Sequence, residues 1–181
     1  MIKKINSFCA GILTLFFLAH LGTMSYSMLT GWYNYNICKF LAHATAATIM
    51  VHLLLCLIVF FFLHDGATIR NYRARNARIM IQRISGIIVL LFIHTHVKAF
   101  GFIAEHMALE STPKIQILFT EIVFFGALFA HIAVSFSRAF ITVGWIQNNR
   151  TEKWMDRMTY IVCGILYGIT IFALTRFILF W

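Results

Sequence analysis

Apolar residues fall into five long runs, at about residues 8–30, 40–63, 79–103, 115–143 and 158–180, and the polar residues gather in the short stretches between them. Each run meets the ~20 residues that an α-helix needs to cross a ~30 Å hydrocarbon layer. In lipid the backbone must satisfy its own hydrogen bonds, so only helices or closed barrels span it, and runs this long and unbroken are not strands. The pattern predicts an all-α integral membrane protein, a bundle of five transmembrane helices in which residues 1–181 form a single transmembrane domain. Pro113 stands just before the fourth run, where the missing N–H does not weaken a helix. No linker, low-complexity tract or repeat interrupts the series. Lys3 and Lys4 before the first run resemble the start of a signal peptide. That run continues to about residue 30, four more follow it, and His20 lies inside it, so it is read as a retained helix.

Composition supports the same reading. Hydrophobic residues make up 61% of the chain and charged residues 12%, against about 45–50% and about 25% in ordinary globular domains. The 19 Phe and single Pro suit long helices in lipid. A formal charge of +9 raises the question of nucleic acid, but most of the basic residues sit in the short segments outside the apolar runs, where the positive-inside rule places them. No nucleic-acid partner is expected. With the N-terminus cytoplasmic, that side holds eleven basic residues: Lys3, Lys4, Arg70, Arg73, Arg75, Arg78, Arg83, Arg138, Arg150, Lys153 and Arg157. The other side holds four, Lys39, Lys98, Lys114 and Arg176. The asymmetry predicts a cytoplasmic N-terminus and an outside C-terminus. Cys9, Cys38, Cys56 and Cys163 form no CxxC pair and read as small core residues rather than a disulfide framework or a metal site.

The candidate chemistry is histidine at membrane depth. His20, His43, His52, His94, His96 and His131 lie inside the apolar runs, where polar side chains are costly and usually mark function. One such histidine alone reads as an interhelical hydrogen bond worth about 1 kcal/mol. One on each of the first four helices points instead to a shared cofactor. His52 stands 12 residues before His64, near the end of its run, and His131 12 before Val143, which is ~18 Å of helix in both cases. His20 stands 16 residues past Lys4 and His96 16 past Met80, or ~24 Å. The four therefore sort into two pairs of matched depth, as two stacked bis-histidine haems require. A neutral imidazole is a good ligand for haem iron, and its second nitrogen needs an acceptor. Carboxylates are too scarce for an all-protein di-metal site, since only Glu121 lies well inside a run. Gly22, Ala46, Ala47 and Ala130 would leave room for a flat macrocycle, although small residues also serve ordinary helix packing. His94 and His96 cannot face one cofactor, because two residues turn a side chain by about 200° around a helix. His43, His64 and His106 lie near helix ends and read as solvated surface histidines, with interfacial or quinone-contacting roles as the alternative.

The stretch Gln82-Arg83-Ile84-Ser85-Gly86-Ile87-Ile88, followed by His96 ten residues after Gly86, resembles a signature of the membrane-anchor cytochrome b subunit of succinate:quinone oxidoreductases. These are the succinate dehydrogenases and fumarate reductases, and the resemblance is to the single-polypeptide, five-helix, two-haem type. It extends over nearly the whole chain. It implies that the axial ligands are His20, His52, His96 and His131. The His52–His131 pair would hold the haem b nearer the cytoplasm, and the His20–His96 pair the outer haem b. Arg83 and Ser85 match the motif as cofactor-binding residues. An Arg can grip a haem propionate in a bidentate fork, and Arg83 can equally be one more positive-inside residue. Two departures stand out. The fifth run has no carboxylate that could serve a proton path, and the first helix lacks a charged, histidine-containing entry.

The resemblance further implies a flavoprotein subunit and an iron–sulfur subunit as partners at the cytoplasmic face of a bacterial-type inner membrane. A quinone, of the menaquinone type in most such two-haem proteins, would be the exchangeable substrate. The dicarboxylate site would lie outside this chain. Charge crossing the bilayer would couple to the membrane potential at ~2.3 kcal/mol per charge per 100 mV. Quinone reduction takes up protons, and Glu105, His106 and Glu110 at the outer end of the third helix are the candidates for its site, with surface solvation as their ordinary alternative. Two other functions fit the same helices. One is a di-haem cytochrome b anchor of a hydrogenase or formate dehydrogenase, and the other a haem-free transporter or structural membrane protein.

Overall fold

A computed structural model describes residues 1–62, 73–106 and 114–180, with side chains described except over 73–76 and 101–106. Among these residues there are five α-helices and no strand: α1 Ile2–Thr30, α2 Tyr35–Phe62, α3 Arg73–His106, α4 Lys114–Val143 and α5 Asn149–Phe180. All five are long and apolar enough to cross a membrane. The chain is a multi-pass helical bundle.

The helices extend past the apolar runs, and the reason is local. Lipid ends where charge begins, but backbone hydrogen bonding does not. α5 starts at Asn149, with the Thr151 N–H donating to the Asn148 side-chain oxygen at 2.8 Å. An Asn in this position satisfies one of the donors that a helix start leaves open. The added turns carry Glu152 and Asp156, so the fifth helix does hold carboxylates, outside its apolar run. α2 is opened in the same way by Asn34, whose side chain accepts from the Ile37 N–H at 3.2 Å. α1 closes on Gly31, which takes φ 75° and donates to the Ser27 carbonyl at 2.9 Å. α4 closes on Gly144 at φ 98°, donating to the Phe140 carbonyl at 3.1 Å. Only glycine adopts this left-handed backbone without strain.

α4 is the hub, packing on α1, α3 and α5. Its buried residues Ile117, Glu121, Phe124, Phe125, Phe129, Ala133, Val134 and Ser137 follow a helical period. Phe17 of α1 meets Phe129 edge-on at 5.8 Å, and Ala173, Leu174 and Ile178 of α5 close the core from the other side. Elsewhere large apolar side chains such as Phe8, Leu15, Phe40, Leu54 and Leu91 point outward. Water would penalise that surface, whereas lipid tails are as apolar as the side chains themselves. The free hydroxyls on the helices fold back on their own backbone, as Thr14 does on the Ala10 carbonyl and Thr45 on the Leu41 carbonyl. At the N-terminal face the Arg78 guanidinium grips both Asp156 oxygens at 2.8 Å and donates to Ser137 at 3.2 Å. This bidentate fork ties α3, α4 and α5 together at the level where the apolar runs end. All four cysteines are free thiols, with Cys38 and Cys163 buried and Cys9 and Cys56 half-buried.

Candidate functional site

Four of the five helices form two closely packed antiparallel pairs, and α5 packs on α4 and α1. α2 packs closely on α1 alone and α3 on α4 alone, among the described residues, while α1 and α4 touch each other. α1 and α4 thus form the floor of a seam, and α2 and α3 form its walls. Asn6 donates to the Cys56 sulfur at 3.5 Å, and the Cys9 thiol faces the Thr48 carbonyl at 4.0 Å. These contacts fix the antiparallel register of the first pair. Arg78 with Ser137, and His96 with Glu121, fix that of the second.

His20 and His52 come from the first helix pair, His96 and His131 from the second. The rings approach across the seam in two sets. His20 lies within electrostatic reach of His96, and His52 within reach of His131. His131 meets the Gln82 carbonyl and lies against Gly86, which stand 14 and 10 residues before His96 on α3, so the two sets are separated by roughly 15–21 Å of helix. His94 points away and is exposed. His43 is also exposed, its Nδ1 turned back on the Lys39 carbonyl at 2.7 Å.

The second helix pair fixes its rings firmly. His131 Nδ1 lies 2.9 Å from the Gln82 carbonyl. A carbonyl can only accept, so Nδ1 carries the proton and Nε2 the lone pair. The buried Ser85 hydroxyl donates to that same carbonyl at 3.1 Å and lies 3.4 Å from His131 Nδ1. A methyl group on Gly86 would come within 3.4 Å of the His131 ring. Gln82, Ser85 and Gly86 of the sequence motif therefore form the seat of one histidine. His96 Nδ1 lies 2.8 Å from Glu121 Oε2, on a carboxylate that is only 1% exposed. Its ring stacks on Phe124 at 4.8 Å and meets Phe125 edge-on at 5.6 Å. Here too the acceptor leaves Nε2 as the lone pair.

The first helix pair holds its rings less firmly. His20 Nδ1 and His52 Nδ1 are buried with no hydrogen-bond partner in the protein. His52 Nε2 lies 3.5 Å from the Cys56 sulfur. A buried ring nitrogen without a partner is costly, and it is the state in which a ligand from outside the chain is best received. Among the described residues no three His, Cys, Asp or Glu side chains converge on one point. The arrangement is one of pairs, suited to a metal whose remaining positions are filled by its own macrocycle.

The other expected site residues fall as follows. Arg83 is exposed, with its guanidinium 5.2 Å over the Phe60 ring where α2 and α3 approach. Glu105 and His106 sit on the last turn of α3 with side chains outside the described set, and Glu110 lies outside the described residues. Sequence reasoning missed the partner of Glu121 and the part played by the Gln82 carbonyl. The first left a signal, as the single carboxylate well inside an apolar run, and the second left none, being a backbone atom. No protein-family model, curated protein or solved structure matches the chain, so the functional case rests on the chain's own residues.

Proposed function

We propose that the chain is a di-haem cytochrome b membrane anchor of a succinate:quinone oxidoreductase, lying in a bacterial-type cytoplasmic membrane with its N-terminus cytoplasmic. The observation that carries this reading is the pairing of histidines across the seam, one from each of four helices, His52 with His131 and His20 with His96. The residues fit the group: two rings have Nδ1 fixed by an acceptor, and two keep a buried nitrogen unsatisfied. Held at these pairs, haem b supplies one-electron transfer between an iron–sulfur partner on the cytoplasmic side and a quinone, of the menaquinone type, near the other.

The chain's own work is to hold and orient. Gln82 and Glu121 fix ring tautomers, Gly86 and Ser85 seat His131, and the phenylalanines around His96 keep water from the buried carboxylate. Arg83 stands at the cytoplasmic end as the residue to meet a propionate. Glu105, His106 and Glu110 are the candidates for the quinone's proton supply. The dicarboxylate chemistry belongs to the flavoprotein partner.

Complex purified from native membranes through a tag on this chain should oxidise succinate with a soluble dye and contain flavin and iron–sulfur clusters. Hydrogen- or formate-dependent dye reduction in its place would reassign the anchor to those enzymes. Orientation is tested separately. From the eleven-to-four distribution of basic residues, a reporter fused after Trp181 reads non-cytoplasmic and one in the 144–157 segment cytoplasmic. The opposite pattern would exchange the inner and outer labels of the two sites.

A further inference from the structure

Glu121 is the most deeply buried acid among the described residues, 1% exposed, two turns into α4 from its N-terminal end. A carboxylate taken out of water and lipid alike must be compensated by hydrogen bonds to its charged form. Its partner is His96 Nδ1 at 2.8 Å. Phe124 and Phe125, 5% and 6% exposed, cover the pair, with the Phe124 ring tilted only 20° from the imidazole plane. His131 is held differently. Its Nδ1–H meets the neutral Gln82 carbonyl at 2.9 Å with a serine hydroxyl beside it. One histidine of the second helix pair thus leans on a carboxylate, and the other on neutral dipoles.

That difference has chemical content. A charge-assisted hydrogen bond is about twice as strong as a neutral one. Pulling the Nδ1 proton toward a carboxylate makes the imidazole more basic at Nε2, and a more basic ligand favours the oxidised, more positive metal. At a carboxylate 1% exposed the effect is screened less than at the surface.

Building on the di-haem reading above, we propose that Glu121 is a positioning residue. Through His96 its charge lowers the electron affinity of the His20–His96 haem site alone, and it locks the His96 ring in the ligating tautomer. Glu121→Gln is the informative variant. It keeps the shape and an oxygen that can still accept from Nδ1, and removes only the charge.

The test is a redox titration of both haems in purified wild-type and Glu121→Gln protein. The proposal expects the oxidised-to-reduced ratio of one haem to fall at least tenfold at fixed ambient potential, a shift of about 59 mV for a one-electron couple. The other haem stays where it was, as its own control. Two fully loaded haems with unchanged potentials would overturn the role of Glu121 and leave the di-haem reading standing, whereas wild-type protein that takes up no haem overturns both. A second measurement needs no variant to fold. In haem-free wild-type protein the His96 Nδ1–H proton should resonate well downfield of that of His131, and equal shifts would contradict the proposal.

Discussion

Assembled complex carrying His20→Ala should oxidise succinate with a soluble dye at close to the wild-type rate and reduce quinone at least tenfold more slowly, a loss of about 1.4 kcal/mol or more in the limiting step. On the di-haem reading, dye reduction needs only the flavin and iron–sulfur partners, whereas quinone chemistry near the outer face depends on both histidine pairs. His20 belongs to the pair with His96, roughly 15–21 Å along α3 from the level of His131. Its Nδ1 is buried without a protein partner, so the substitution removes no internal hydrogen bond. It does remove volume from α1 beside the core residue Leu21, and such cavities cost stability. Recovery of the soluble subunits must therefore be measured on the same sample. Full quinone activity with one haem demonstrably missing would place the quinone at the cytoplasmic face. Glu105, His106 and Glu110 would then be ordinary surface residues.

The spans were the most legible part of the chain, because lipid tolerates few alternatives to a long apolar helix. Their ends were less so. The fifth run stops at about residue 158, whereas α5 begins at Asn149. Hydropathy registers Glu152, Asp156 and Arg157 as a boundary, but Asp156 is inside the helix because Arg78 of α3 and Ser137 of α4 are there to receive it. A contact between residues 78 apart in the chain leaves no local trace. The choice between His94 and His96 was open to elementary geometry, since a two-residue step reverses the face of a helix. In the fold His96 lies among phenylalanines and His94 is exposed.

The candidate site was legible in its residues more than in its supports. Counting rise per residue sets His52 beside His131 and His20 beside His96, and in the fold each of these sets lies within electrostatic reach. The supports were hidden for separate reasons. Glu121 could be seen as an isolated carboxylate, but which of six membrane-depth histidines it meets depends on how α3 is rotated against α4. The Gln82 carbonyl has no side-chain signature at all. From sequence Arg83 reads equally as a propionate fork or a positive-inside residue, and in the fold its guanidinium lies over the Phe60 ring.

The measurement that bears most directly on the di-haem reading is a reduced-minus-oxidised optical spectrum with haem quantified per chain, taken on wild-type, His96→Ala and His94→Ala protein. His96 reaches into the seam toward His20, with Glu121 fixing its ring, so on the di-haem reading its loss removes one axial ligand and leaves the buried Glu121 carboxylate without its imidazole partner. His94 lies on the opposite side of the same helix and is exposed, so its loss touches neither pair. The account predicts two b-type haems per chain in the wild type, one in His96→Ala, and two with unchanged spectra in His94→Ala. A wild-type preparation without haem, or a haem lost with His94 and kept without His96, would contradict it.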